Sequence, residues 1–204
     1  MVRTSTTKRP RVSKQPEDRR LDFLRSAESV FGRKGFVAAT VADICDAALV
    51  AKGTFYLYFE SKEHVLGALW EEYVDGFLAR TRAVIDEDDD WWPTMDRVVT
   101  GLVDHAIAHA DLHRIVHHSA NGKALELCRV GNERVVQLIT EYVLRGAEAD
   151  VFRAGDPALA FRLVYLATDA LLDEVVGSGE AIDAAPVIAA VVELTHRALG
   201  DHRD

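Results

Sequence analysis

The sequence predicts an all-α fold in two parts, a small N-terminal unit of three helices followed by a larger helical body. Three observations predict it. Apolar residues recur every third or fourth position from about residue 17 to residue 199, which is helical period. No stretch alternates apolar and polar residues as a half-buried strand would. The periodic segments are separated by Gly, Asn, Asp and Pro, the residues that punctuate helices. With 49% apolar residues, the chain of 204 has enough material for a packed core.

The first helix is expected at residues 17 to 34, where Leu21, Leu24, Ala27 and Phe31 form a stripe that Phe23 and Val30 broaden. Gly35 ends it, just past a last turn bearing Lys34. Thr40 opens the second helix with the capping pattern Thr40-x-x-Asp43, and Val41, Ile44 and Cys45 give that helix one apolar face. After the turn Ala48-Leu49-Val50, a short third helix is expected at 52 to 59. Its Phe55 and Phe59, four apart, face inward and leave Lys52, Thr54, Tyr56 and Tyr58 outside. Ser61 caps a fourth helix running to about Ile85 with Val65, Leu66, Leu69, Trp70, Tyr73 and Phe77 buried. A loop is expected over the acidic run 86 to 90, with Pro93 in the first turn of the next helix. Further helices are expected at about 93–110, 111–119, 125–149, 157–176 and 185–199, divided at Asn121-Gly122, Gly155-Asp156-Pro157 and Gly177-Ser178-Gly179. The chain has no fixed-period repeat of the kind a helical solenoid shows.

The net charge of −9 hides an asymmetry. Residues 1–66 hold 12 Lys and Arg against 8 Asp and Glu, whereas residues 67–204 hold 12 against 25. A basic end on an acidic body suits a chain of which one end approaches phosphate. The first 20 residues carry seven Lys and Arg and two acids, so residues 1–16 read as a disordered basic arm or a solubilising tail. No apolar run is long enough to span a membrane, and the basic N-terminus has no apolar segment behind it, so the expected compartment is the cytoplasm. Cys45 and Cys128 have neither metal-ligand nor disulfide-scaffold spacing and are expected in the core.

A short helix suits the DNA major groove, roughly 12 Å wide, if one side locks onto a partner helix and the other carries hydrogen-bonding groups. Residues 52–59 have both sides. Gly53 lets backbone approach DNA, Thr54 offers a hydroxyl and a methyl to base edges, Tyr56 and Tyr58 reach phosphates or bases, and Lys52 and Lys62 supply charge. Residues 20–70 resemble the DNA-binding domain of the TetR family of bacterial transcriptional regulators. The residues that carry the likeness are Gly35-Phe36, Thr40-Val41-x-Asp43-Ile44, Ala47-Ala48, Val50, Lys52-Gly53-Thr54-Phe55-Tyr56-x-Tyr58-Phe59 and Ser61-Lys62-Glu63. The resemblance implies that Thr40 touches phosphate, that Val41, Lys52, Gly53, Thr54 and Tyr56 lie at or beside base edges, and that Tyr58 and Lys62 clamp the backbone. Two positions depart from it: Leu49 stands where the turn usually has glycine, and Ala51 where a capping serine is common. Each departure costs on the order of 1 kcal/mol of local stability without removing a DNA-facing group.

The resemblance also completes the domain reading: a helix-turn-helix domain at 17–66 and a ligand-binding and dimerisation domain at 67–204. One short helix reads few base pairs, so a homodimer on palindromic double-stranded DNA is expected, with reading helices about 34 Å apart. The helix at 157–176 is apolar nearly all round, and Val187, Ile188, Val191, Val192 and Leu194 do much the same for the last, so these two helices are the expected dimer surface. Repression relieved by a small-molecule effector is implied by the resemblance. Trp91, Trp92, Tyr142, Phe152 and Tyr165 are candidate pocket residues, though aromatic residues serve a core equally well. His105, His109, His113 and His117 fall four apart, a spacing at which imidazoles can share a metal. A helix start at Ala110-Asp111 would break that stripe, and no Cys or Glu cluster completes a site, so no metal or cofactor is expected. The acidic run 86–90 has the look of a Mg²⁺ site but lacks a second acidic motif, and no hydrolase or phosphate-binding motif is present. The expectation is therefore a regulator and not an enzyme.

Overall fold

The computed structural model describes residues 15–87, 90–119, 122–177, 179 and 182–200. Within them the chain forms nine α-helices and no strand: α1 (Pro16–Lys34), α2 (Val41–Ala47), α3 (Lys52–Phe55), α4 (Lys62–Glu87), α5 (Trp91–Ala108), α6 (Ala110–His117), α7 (Gly122–Glu148), α8 (Pro157–Gly177) and α9 (Ala184–Leu199). The all-α expectation holds in order and kind. Residues 1–14 of the expected basic arm lie outside the described residues, and α1 begins within the remainder, with Pro16 in its first turn.

The helix ends follow from local chemistry. Gly35, at φ 76°, ends α1 and bonds back to the Phe31 carbonyl. Thr40 and Asp43 form the expected capping box on α2. Two expectations change. Around the loop foreseen over 86–90 the helices reach further than expected, α4 to Glu87 and α5 from Trp91, while residues 88–89 lie outside the described residues. The third helix is one α-turn rather than two. After Phe55 the chain tightens, with Leu57 N bonding the Thr54 carbonyl and Tyr58 N the Phe55 carbonyl, both three residues back.

One continuous apolar core runs from Phe23 in α1 to Leu199 in α9. The long helix α4 links the two ends of the chain, packing on α1 at the N-terminal unit and on α5 and α7 in the body. Around it α7 packs on α8, α8 on α9, and α9 returns to α5; α6 sits between α1 and α8. Four of the five residues expected to line a pocket pack instead on one another. Trp91 and Tyr142 have ring centroids 5.1 Å apart, Trp92 meets Phe152 edge-on at 4.8 Å, and the Tyr142 hydroxyl donates to the Trp91 carbonyl at 3.0 Å. Gly146 permits this, since a Cβ there would stand 2.4 Å from the Phe152 ring. Trp92 also stacks on His196, whose Nε2 lies 2.6 Å from Asp96 Oδ1, so the cluster ties α5, α7 and α9 together.

Candidate nucleic-acid interface

The N-terminal unit is built on aromatic rings. Phe23 of α1 meets Phe55 edge-on at 5.5 Å and Phe59 at 6.3 Å, and Phe55 and Phe59 are themselves 5.8 Å apart. All three are buried, and this locks the inner side of residues 52–59 onto α1. Lys52, Gly53, Tyr56 and Leu57 are exposed, while Thr54 and Tyr58 are half-buried. Tyr58 leans on Phe23 with centroids 5.8 Å apart, so only part of its ring is available to a partner. A Cβ placed on Gly53 would meet nothing within 4 Å, so the outer side of α3 is open at that position.

The turn before α3 has the strain expected of it. Leu49 sits at φ 56°, the left-handed region, with its side chain 87% exposed. Ala51 precedes α3 in extended conformation and offers no side-chain cap. The α2 end is tighter. Thr40 Oγ1 donates to Asp43 Oδ2 at 2.8 Å and accepts from Asp43 N at 3.2 Å, and Lys34 Nζ reaches Asp43 Oδ1 at 2.5 Å. The Lys34 ammonium and the Thr40 donors hold the Asp43 carboxyl down to about 2. Val41 is half-buried behind them.

Lys62 is placed differently from what the resemblance implies. Its ammonium donates to the carbonyls of Phe36, Val37 and Ala39 at 2.7, 3.1 and 2.8 Å and lies 4.7 Å from the centre of the Phe36 ring. Three acceptors use all three of its protons, and they bind α4 to the α1–α2 turn. The reading of the residues did not single out Leu57, which is 80% exposed beside Tyr56. Its position two residues from both Phe55 and Phe59, off their buried face, was the available signal.

In the body, Tyr165, an expected pocket residue, borders a cavity in company with Trp70, Tyr73, His113 and Asp169. Three of the four histidines gather at Tyr73: His105, His109 and His113 have ring centroids 4.3, 5.3 and 5.1 Å from it, and His105 and His109 are 4.2 Å apart. His105 Nε2 donates to the Tyr73 carbonyl at 2.9 Å while its Nδ1 faces Arg80 Nη2; His109 bonds the His105 carbonyl and His118 the Arg114 carbonyl. His113 Nε2 lies 2.9 Å from the Tyr73 hydroxyl. No three His, Cys, Asp or Glu side chains among the described residues are grouped to hold a metal ion. No helix there is long and apolar enough to cross a membrane.

Known proteins share both the reading unit and the fold. The KstR2 HTH-type transcriptional repressor of Mycobacterium tuberculosis is 37% identical over 76 residues, which is 37% of this chain and 38% of the repressor. The chain spans less than half the length of the curated relatives it first matches. Solved structures extend the likeness to nearly the full length. The fatty acid degradation regulator FadR of Bacillus halodurans superposes with a TM-score of 0.72 at 26% identity, over 94% of this chain and 98% of that one. The FadR regulator of Bacillus subtilis, in complex with stearoyl-CoA, gives 0.73 at 21% identity, over 88% and 97%. Residues 23–69, which hold the Phe23/Phe55/Phe59 lock and the exposed face it presents, match the bacterial regulatory proteins of the tetR family.

Proposed function

We propose that this chain is a sequence-specific DNA-binding regulator of transcription, a repressor that binds a palindromic operator as a homodimer and lets go when a small molecule binds its helical body. The observation that carries the reading is the two-sided segment 52–58: buried phenylalanines fix it to α1, and Lys52, Gly53 and Tyr56 stand clear of the protein. Lys52 supplies phosphate charge, Gly53 and Thr54 approach base edges, and Tyr56 with the outer part of Tyr58 reaches base or backbone. Thr40 and Val41 meet the DNA backbone at the start of α2, and Thr40 must share its hydroxyl with Asp43 to do so. Lys62 acts on DNA through the turn it holds.

In this reading residues 17–66 are the DNA-binding domain and 67–204 the regulatory one, with the basic arm at 1–16 adding phosphate contacts from the cytoplasm. The described relatives are regulators, which favours this class over an enzyme. The body resembles one that takes stearoyl-CoA in the Bacillus subtilis neighbour, which supports an effector site there. Footprinting on the DNA upstream of the gene tests the proposal: a symmetric protected site is expected, lost in the Lys52→Ala/Tyr56→Ala double variant with helicity intact. Undiminished, sequence-specific binding by that variant would overturn it.

A further inference from the structure

A cleft of about 220 Å³ opens on the body between α6, α7 and α8, with Trp70 of α4 as its inner wall. Trp70, Asn132 and Asp169 separate it from a void of about 20 Å³, room for one water, further inside. The wall is fixed: Trp70 Nε1 donates to Asn132 Oδ1 at 2.8 Å, and its ring lies 4.6 Å from Tyr73 and 4.9 Å from His113. Two carboxylates one helical turn apart on α8, Asp169 and Asp173, border the cleft. Asp169 is partly buried, and the nearby His113 is the opposite charge that acts on it. Burial, then the neighbouring Asp173, push its carboxyl up to about 6.

A buried group is unsatisfied behind that wall, where His113 borders the inner void. The His113 side chain is 4% exposed, its Nδ1 makes no hydrogen bond, and the nearest carboxylate oxygen, Asp173 Oδ1, stands 3.5 Å away. The bases nearby are spent or peripheral. Arg162 is paired with Glu133 at 2.7 Å, Arg80 faces His105, and Arg129 is exposed where it borders the cleft. Taking a carboxylate out of water is costly, and such groups persist where a ligand completes them.

We propose that this cleft is the effector site and that its ligand is a small organic cation, seated with its charged nitrogen at Asp169 and Asp173 and its apolar part against Trp70. The inference rests on the regulator reading and names the effector class. Carboxylates neutralise the ammonium, and the Trp70 ring adds cation–π attraction. The volume lies below the roughly 300–1,000 Å³ of pockets for drug-sized ligands, so the cation is small. An anionic effector such as an acyl-CoA would bring its phosphates toward two carboxylates.

The test is calorimetric titration of the full chain with benzyltrimethylammonium and with neopentylbenzene, its neutral isostere. Saturable binding of the cation is expected, at least tenfold weaker for the isostere and at least tenfold weaker in Asp169→Asn. Asp173→Asn, at a more exposed position, gives the same readout should the first variant fold poorly. Equal binding of cation and isostere, or affinity unchanged in either variant, overturns the proposal. So does stearoyl-CoA displacing the cation with an affinity indifferent to Asp169→Asn. Operator retention is measured on the same protein. Retention without cation binding overturns this site alone, and cation binding without retention overturns the regulator reading and, with it, the effector role of the site.

Discussion

Lys62 is the residue at which likeness and geometry disagree about role. A lysine that clamps phosphate must have its ammonium free, whereas this one is shared among the Phe36, Val37 and Ala39 carbonyls. Charged donors to neutral acceptors are the stronger hydrogen bonds. Lys62→Met is therefore expected to lower the stability of the DNA-free protein by about 2–4 kcal/mol, read by urea denaturation. It should leave the salt dependence of operator binding unchanged, whereas Lys52→Ala should flatten that slope by about one unit. The reverse pattern would return Lys62 to the phosphate. The sequence could not show this, since all three partner residues lie in a turn about 25 residues away. Leu49 is the opposite case. A turn bounded by Ala48 and Val50 needs one left-handed residue, and the only bulky candidate is the one at φ 56°. Its side chain loses no packing there because it faces solvent.

At the scale of elements, caps and apolar stripes were legible because they are encoded within four residues, as in Thr40 and Asp43 or Phe55 and Phe59. The end of α3 was not, because an apolar pair four apart fits both a full helical turn and the tighter turn that returns Phe59 to the core. The aromatic group Trp91, Trp92, Tyr142 and Phe152 was legible as pocket lining or core, but the choice between them was not. That depends on Gly146 lacking a side chain beneath Phe152. Gly53, by contrast, has open space, and alanine favours a helix by about 1 kcal/mol over glycine. Gly53→Ala should thus hold or raise Tm by differential scanning calorimetry while weakening operator binding at least tenfold. A variant that binds DNA as well as the native chain would show that no DNA backbone approaches there. Between α4 and α5, burial pulls the His105 imidazole down to about 4, the neighbouring His109, Arg80 and His113 charges act the same way, and donation to the Tyr73 carbonyl only partly opposes them. The unfolded chain takes up this proton near pH 6.5 and the folded one only near 4, so His105 costs stability as pH falls through that window. Asp169 has the opposite sign: its raised carboxyl favours the folded state below about pH 4 and withdraws that support as pH rises to 6. An NMR titration should find the His105 ring shifting with a midpoint near 4 rather than 6.5.

Across the whole molecule, the two final helices expose an apolar face that bears on the proposed dimer. The sequence marked α8 and α9 as apolar on more sides than one chain can cover, and Leu159, Leu163, Leu166 and Leu194 are exposed in the folded chain. The same helices bury Phe161, Val164, Tyr165, Leu172 and Val191 inward, so the exposed leucines are a second face and not a loosened core. Their spacing along α8, residues 159, 163 and 166, is one stripe at helical period. An exposed apolar stripe of this kind is what the proposed homodimer requires, since a two-fold axis would bring it against its own copy. Two reading units joined there can address two half-sites about one duplex turn apart, while a single unit cannot gain that affinity from one groove. A charge within the stripe must break the pairing without touching the monomer's core. Leu163→Glu with Leu166→Glu is expected to halve the mass seen by sedimentation equilibrium, keep the helical circular dichroism, and lower operator affinity at least a hundredfold. If the native chain sediments as a monomer over the micromolar range, or the charged variant remains a dimer, these leucines do not form the dimer surface.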